Sequence, residues 1–416
     1  MSRTYYTRLL DDVFVDVKRI INDRSHPETD LSWIIRDNTA SYPDYFIVKT
    51  FGRNSFESKI NSFLYSVAPV LWKRFIWKRM CRKMCSHVRD EHVKRFDLPL
   101  HDKKLFINVC YQHLYKNWKF WGTATFSDIF IFIALFLQKF SEDVLKTPDR
   151  FKEIKVDQNE KMLTLVNEII EDLLQHPQAT GIMAYLAIKG NWMDVFENDP
   201  NAFFIAFSEE VNELMDSEEI LTTHKVNNDF FHLDQFLSVI EGKPKKILYE
   251  CDNSGEVVLD LLFIEHLLSM GHSITITTKV RPFLNDVLDT EIKELIIKNF
   301  PTLSEALETK KITLLSHDLA FAGKIFSESK GDYINAVTES DFMIAKGQGH
   351  FQMMPMVDLI NTKKAMPYTL PVFYLFGVRA DIIYWCCNAL FKTTKPEKGS
   401  VMLYAYNLAN ISSHPS

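Results

Sequence analysis

Two pairs of polar side chains follow predicted strands in the second half of the chain. Asp252 and Asn253 come directly after an apolar run at residues 247–251, and Asn285 and Asp286 lie in a turn after the next predicted strand. The segment between the strands carries apolar residues at helical spacing and ends at a glycine. Because such a β-α-β unit has parallel strands, both pairs are expected at one edge of a sheet, where open α/β sheets bind ligands.

These residue types suit a hard divalent cation. Asp252, Asn253 and Asp286 offer only oxygen ligands, which favour magnesium or manganese over zinc. The alternative is that each pair simply begins a helix, because Asp and Asn are good N-caps. Either pair by itself favours that interpretation, whereas two pairs on neighbouring strands favour a site.

A glycine-rich turn follows a later strand, at residues 341–345. Lys346 is followed by Gly347 and Gly349, so consecutive backbone N–H groups can point at an anion beside the lysine charge. The spacing is not that of a Walker loop. Arg379 follows the next predicted strand, where a guanidinium suits a phosphate or is simply a surface charge.

The elements that position these residues predict an α/β fold. We expect a doubly wound, mostly parallel sheet flanked by helices, preceded by a mostly helical N-terminal region. Candidate strands lie at 247–251, 273–278, 311–315, 341–345, 370–376 and 401–404. The predicted organisation is a helical region at 1–145, a helical segment contributing to the site at 146–240, a catalytic domain at 241–405 and a tail at 406–416.

Composition limits the function classes. The 416 residues are 46% hydrophobic and 25% charged, which is ordinary for a globular protein, and the net charge of −6 gives no nucleic-acid-like excess of positive charge. No secretory signal or membrane-length apolar run is visible. The six cysteines have irregular spacing, which favours a reduced, cytoplasmic protein.

A second metal motif is conceivable in the N-terminal region. Cys81 and Cys85 precede His87 and His92, but the spacing differs from that of zinc fingers. Buried or incidental thiols on one helix face are the favoured interpretation.

Five stretches in order resemble the damage-control phosphatases, formerly domain of unknown function 89. They read DRFKEIKVDQN, LAIKGNWMD, DNSGEVVLDLL, RPFLND and SDFMIAKGQGHF, at residues 149–159, 186–194, 252–262, 281–286 and 340–351. The resemblance covers roughly residues 149–390 and implies a metal-dependent phosphatase acting on a sugar phosphate or damaged phosphometabolite.

The resemblance also implies a role for each matching residue. Asp252, Asn253 and Asp286 would hold the divalent metal, Mn²⁺, Mg²⁺, Co²⁺ or Ni²⁺, and would form the catalytic centre. The substrate side would be formed by Asn159, Asn191, Asp194, Glu256, Lys346, Gly347, Gly349 and Arg379. Whether Asp252 is only a ligand or also attacks the phosphorus is open.

Four positions depart from the family pattern. His350 stands for an asparagine, Gln352 for a glutamate, Arg379 for a lysine and Leu288 for a frequent threonine. The metal ligands are kept while the pocket wall differs, so the reaction type is expected and the substrate is open.

Two other functions fit parts of this pattern. A Rossmann-like carboxyl methyltransferase also has an acidic residue after a strand, but its glycine-rich first loop is missing here. A catalytically weakened relative would bind a phosphometabolite or a protein partner. The expected partner is a small phosphorylated metabolite, and the sequence does not indicate an oligomeric state.

Overall fold

A computed structural model describes most of the second half of the chain and parts of the first. The described residues are 3–23, 78, 81–82, 85–86, 98–117, 126–193, 200–215, 229–317, 332–353, 370–379, 387, 396–397 and 399–406. The chain divides into two compact units, Met1–Pro148 and Asp149–Ser416.

The first unit is helical wherever it forms a described element. Its helices are α1 (Arg3–Asp23), α2 (Leu100–Lys116) and α3 (Phe126–Phe140), and a π-helical turn, Ser141–Leu145, follows α3. Aromatic side chains form much of its core: the ring of Phe106 stacks on Phe136 with centroids 4.7 Å apart and meets Phe140 edge-on at 4.8 Å. The predicted helical character of this region is confirmed for these residues.

The second unit is built on a six-stranded sheet in the order β3-β2-β1-β4-β5-β6. The strands are β1 (Lys246–Glu250), β2 (Ser273–Lys279), β3 (Ile312–His317), β4 (Phe342–Lys346), β5 (Val372–Gly377) and β6 (Val401–Tyr406). All neighbouring pairs are parallel except β5 and β6, which are antiparallel. The predicted mostly parallel α/β sheet is therefore confirmed.

Helices cover the sheet. They are α4 (Lys152–Gln175), α5 (Ala179–Lys189), α6 (Pro200–Met215), α7 (Leu233–Ile240), α8 (Glu256–Ser269), α9 (Asp289–Asn299), α10 (Pro301–Glu308), α11 (Asp332–Glu339) and α12 (Gly347–Met353). Side chains of α4 to α7 share one hydrophobic core with the sheet. The segments predicted at 146–240 and 241–405 thus pack together.

The position of the site follows from the strand order. The chain winds outward from β1 in both directions, so the crevice beyond the carboxyl ends of β1 and β4 is a topological switch point. Helix α8 joins β1 to its parallel neighbour β2, as the sequence predicts. Among the described helices, none is both long and apolar enough to cross a membrane.

Candidate active site

Backbone hydrogen bonds join the turn after β1 to the turn after β2. The amide of Val287 donates to the carbonyl of Asp252 at 3.0 Å, and the amide of Ser254 donates to that of Asn285 at 2.9 Å. Asn253 and Asp286 form an antiparallel bridge. The two polar pairs singled out in the sequence therefore lie side by side at the switch point.

Neither pair caps the helix that follows it. The N-cap of α8 is Gly255, and the N-cap of α9 is Leu288. Asp252 and Asp286 are both buried. The alternative interpretation, that each polar pair serves only as a helix N-cap, therefore does not explain the positions of Asp252 and Asp286.

Amide side chains hold the turn after β1. Asn191 Nδ2 donates to Asp252 Oδ2 at 3.3 Å and to Glu256 Oε1 at 3.2 Å. Asn159 Oδ1 accepts the backbone N–H of Gly255 at 2.6 Å. Both asparagines, expected on the substrate side from the resemblance, thus bond directly to the turn that carries the expected metal ligands.

Two glycines allow close approach at this point. A Cβ at Gly190 would stand 2.9 Å from Glu256 Cβ, which explains a glycine directly after the buried helix α5. Gly347 has a φ of 81°, and a Cβ there would overlap the carboxylate of Asp252. The predicted glycine turn is thus the first turn of α12, and its first residue packs directly against Asp252.

The ammonium group of Lys346 is buried and is surrounded by oxygen atoms that accept hydrogen bonds. Its Nζ donates to the carbonyl of Ala187 at 2.7 Å and to Asp260 Oδ1 at 2.8 Å, and lies 3.6 Å from Glu256 Oε2. Burial by itself would lower the pKa of Lys346, but the Asp260 and Glu256 carboxylates raise it above its ordinary value. Burial raises the pKa of Asp260 to about 6, although Lys346 opposes that rise. The lysine therefore stays charged.

Removing Asp260 is expected to destabilise the fold strongly. The variant Asp260→Ala leaves the buried Lys346 ammonium without its closest carboxylate, which costs about 3–5 kcal/mol when a buried pair is broken. Urea unfolding measures the change. Asp157→Ala, which breaks the exposed pair with Lys161, is the control and should change stability little. Equal midpoints for the two variants would contradict this role of Asp260.

The carboxylates at the edge repel one another. Burial, and then the Glu256 and Asp286 carboxylates, raise the pKa of Asp252. Burial also raises the pKa of Asp286 to about 7, although Lys279 and Lys155 oppose that rise. The Nζ of Lys279 lies 3.5 Å from Asp286 Oδ2, beyond an ordinary hydrogen bond.

A buried lysine supports the turn that carries Asp286. Lys155 in α4 lies 2.8 Å from Asp149 and 3.2 Å from Glu291, and Glu291 in turn accepts the backbone N–H of Leu288 at 2.9 Å. Sequence reasoning missed Lys155, Asp260 and Lys279. The signal for Asp260 was a single acid within an otherwise apolar helical run, since such an acid needs a buried partner.

Of the remaining residues singled out in the sequence, the structure describes Arg379 but not Asp194 or the side chain of Gln352. Arg379 is half-buried, and its backbone N–H donates to Gln348 Oε1 at 3.3 Å, which brings the end of β5 to the turn that contains Gly349. Asp194 lies outside the described residues, and so does the side chain of Gln352.

No three His, Cys, Asp or Glu side chains within the described ranges form a group that could hold a metal ion. The metal ligands predicted at the sheet edge are Asp252, Asn253 and Asp286. They include only two side chains of these four types, because the third ligand is an amide. Cys81 and Cys85 are buried and are not joined in a disulfide, whereas His87 and His92 are not among the described residues.

The fold and the site together define an open α/β domain with buried carboxylates at its switch point. A family description agrees with that class: the damage-control phosphatase ARMT1-like domain matches residues 66–387, well over half of the chain. The chain belongs to this family, and the resemblance found in the sequence is confirmed.

Three relatives share 22–28% identity with this chain over the aligned residues. A damage-control phosphatase of Pyrococcus horikoshii is 27% identical over 273 residues, which are 65% of this chain and 78% of the relative. One of Archaeoglobus fulgidus is 22% identical over 222 residues, 51% and 66% of the two chains. An uncharacterised protein of Methanocaldococcus jannaschii is 28% identical over 110 residues, so this chain spans only 33% of its length.

A solved structure shares the fold. The crystal structure of a DUF89 family protein from Pyrococcus horikoshii superposes with a TM-score of 0.55 at 19% identity. The alignment covers 78% of this chain and 97% of the other. At this identity the likeness concerns the fold alone.

Proposed function

We propose that this chain is a metal-dependent phosphatase that hydrolyses a small phosphomonoester, either a sugar phosphate or a damaged phosphometabolite. The observation that carries the proposal is the backbone pairing that places Asp252, Asn253 and Asp286 together at the switch point. Family membership and the names of two relatives support a phosphatase-type function.

The charge of the buried cluster fits a divalent cation. Within the described part of the chain, the buried carboxylates Asp252, Glu256, Asp260 and Asp286 outnumber the two ammonium groups paired with them, Lys279 and Lys346, so the fully ionised cluster carries two excess negative charges. Asp286 Oδ2 is buried, and the Lys279 ammonium lies 3.5 Å from it. Oxygen donors with excess negative charge favour Mg²⁺ or Mn²⁺.

The protein's own groups would prepare the site for phosphoryl transfer. A bound divalent cation polarises a phosphoryl oxygen and lowers the pKa of a water molecule. Asn191 holds Asp252 and Glu256 in fixed orientation through its amide. Lys346 pairs with Asp260 and Glu256, and Lys279 lies 3.5 Å from Asp286, so the four carboxylates exceed these two ammonium groups by the charge of one divalent cation. Phosphoryl transfer depends mainly on such positioning and charge neutralisation.

Phosphate release tests the proposal. The purified chain, first stripped with a chelator, is assayed on an aryl phosphate and on a panel of sugar phosphates with Mn²⁺, Mg²⁺, Co²⁺ or Ni²⁺ added singly. We expect hydrolysis that requires added metal and returns after chelation and re-addition. Binding of a phosphometabolite without turnover under any metal would support the binding-only alternative and contradict the phosphatase.

Arg379 is proposed to contact the phosphate. The variant Arg379→Ala would then lose a charge-assisted hydrogen bond of about 1.5–3 kcal/mol, which is roughly a ten- to hundredfold loss in kcat/KM on the best substrate. Arg379→Lys should recover part of the loss, because lysine keeps the charge but not the planar fork. Steady-state kinetics with saturating metal measures both.

The control for this experiment is Arg281→Ala. Arg281 is exposed and lies in the same turn as Asp286, so it tests the loss of a nearby surface arginine. It should leave kcat/KM within about twofold, as surface substitutions change little. If Arg379→Ala behaves like Arg281→Ala, Arg379 is only a surface charge.

A further inference from the structure

A second buried polar network lies beneath the carboxyl edge of the sheet. Its centre is Glu250, the last residue of β1, which is fully buried. Glu250 Oε2 accepts a hydrogen bond from Thr277 Oγ1 in β2 and lies 3.7 Å from His350 Nε2 in α12. Burial, and then the Glu250 carboxylate, raise the pKa of Tyr333 in α11. Four elements thus meet at one carboxylate.

His350 joins this network to β4. Its Nδ1 lies 2.6 Å from the carbonyl oxygen of Lys346, the last residue of β4. A carbonyl oxygen only accepts, so Nδ1 carries the proton of this hydrogen bond. The other ring nitrogen faces Glu250. The imidazole therefore lies between the last backbone carbonyl of β4, to which it donates, and the last side chain of β1, which it faces at 3.7 Å.

The bridged residues bear directly on the candidate site. β1 and β4 are neighbours on the two sides of the switch point, with Glu250 paired to Ala345. Lys346 Nζ lies 2.8 Å from Asp260 and 3.6 Å from Glu256, and Gly347 packs against the Asp252 carboxylate. Movement of the Lys346 backbone would therefore move both the buried ammonium and the wall against which Asp252 rests.

We propose that His350 is a positioning residue, which fixes the first turn of α12 against Asp252 through the hydrogen bond from its Nδ1 to the Lys346 carbonyl, with its Nε2 packed against the Glu250 carboxylate. The histidine contacts the two partners through its two ring nitrogens. An asparagine offers one short amide, which can replace the bond to Lys346 but leaves the Glu250 side unmet. The kinetic consequence rests on the proposed phosphatase function, whereas the positioning itself does not.

The experiment compares His350→Asn and His350→Leu with the wild type. Amide hydrogen exchange of peptides covering residues 346–353 reports directly on the turn. We expect faster exchange there in both variants, and the larger change in His350→Leu. In the proposed reaction kcat/KM should fall roughly ten- to hundredfold for His350→Leu, mainly through kcat, because small misplacements of catalytic groups are costly. His350→Asn should lose less.

The matched control is His272→Asn. His272 is equally buried, and its Nδ1 accepts the backbone N–H of Lys245 at 3.0 Å, at the amino end of β2 and away from the site. It should lower the melting temperature without changing exchange at 346–353 or kcat/KM. If His350→Leu does not fold, His350→Asn carries the same comparison.

The outcomes separate the two proposals. Unchanged exchange at 346–353 in the His350 variants, or equal effects from His272→Asn, would overturn the positioning role. A wild type without metal-dependent hydrolysis would instead remove the proposed function, and faster exchange in the His350 variants would still support the positioning role.

Discussion

Replacing Asp252 or Asp286 with alanine is expected to abolish metal-dependent hydrolysis. Each change removes one of the two carboxylates that the pairing of Asn253 with Asp286 brings together. A metal ion contributes several kcal/mol of charge stabilisation to a phosphoryl transition state, so kcat/KM should fall by at least about a thousandfold. The measurement is phosphate release after chelation and metal add-back, with circular dichroism as a check that the variants fold.

The matched control is a carboxylate at the opposite edge of the same sheet. Asp341 Oδ2 accepts the backbone N–H of Lys246 at 2.7 Å, where β1 and β4 begin. Asp341→Ala should cost some stability and leave metal-dependent turnover close to wild type. If Asp252→Ala or Asp286→Ala keeps wild-type turnover under the same treatment, the metal site lies elsewhere.

Gly347→Ala is expected to have the second largest effect. Its φ of 81° lies in the left-handed region, where an alanine costs about 1–2 kcal/mol. In addition, the new Cβ would overlap the Asp252 carboxylate, so the turn or the aspartate has to move. A displacement of this size at a catalytic group should reduce kcat/KM by about a hundredfold. Steady-state kinetics and thermal melting measure the two effects separately.

Gly399→Ala measures separately the stability that is lost when an alanine adopts a positive φ. Gly399 has a φ of 92°, and a Cβ there would meet no atom of the described residues within 4 Å. Both alanine variants should therefore lose similar backbone stability, but only Gly347→Ala should lose activity. Equal kcat/KM values in the two variants would show that contact between the turn and Asp252 does not matter for turnover.

The sheet could be predicted because its signals are local. Each strand is a short apolar run bounded by turn residues, and all six predicted strands agree with the structure within two residues at each end. β6 continues two residues beyond its predicted end. The shared edge of Asp252 and Asp286 then followed from the geometry of one β-α-β unit.

The hydrogen bonds and ion pairs of the site could not be predicted in this way, because the residues that form them are far apart in sequence. Asn159 meets Gly255 across 96 positions, and Lys346 meets Ala187 across 159. No local pattern encodes such pairs. Only tertiary packing shows that these residues hold the turns in place.

His350 illustrates the same limit. In the sequence it is only a departure from an expected asparagine, whereas in the structure it is buried against Lys346 and Glu250. The sequence gives only the residue type at this position. The structure shows which residues His350 contacts, and those contacts indicate its role.

The most direct test of the proposed function is to locate the cation. Crystals soaked in Mn²⁺, measured at a wavelength where manganese scatters anomalously, are expected to show one strong peak within about 2–2.5 Å of oxygens from Asp252, Asn253 and Asp286. Crystals of Asp286→Ala should lack that peak. A manganese-dependent enzyme whose crystals show no peak at this edge, or show it at other residues, would contradict the assignment.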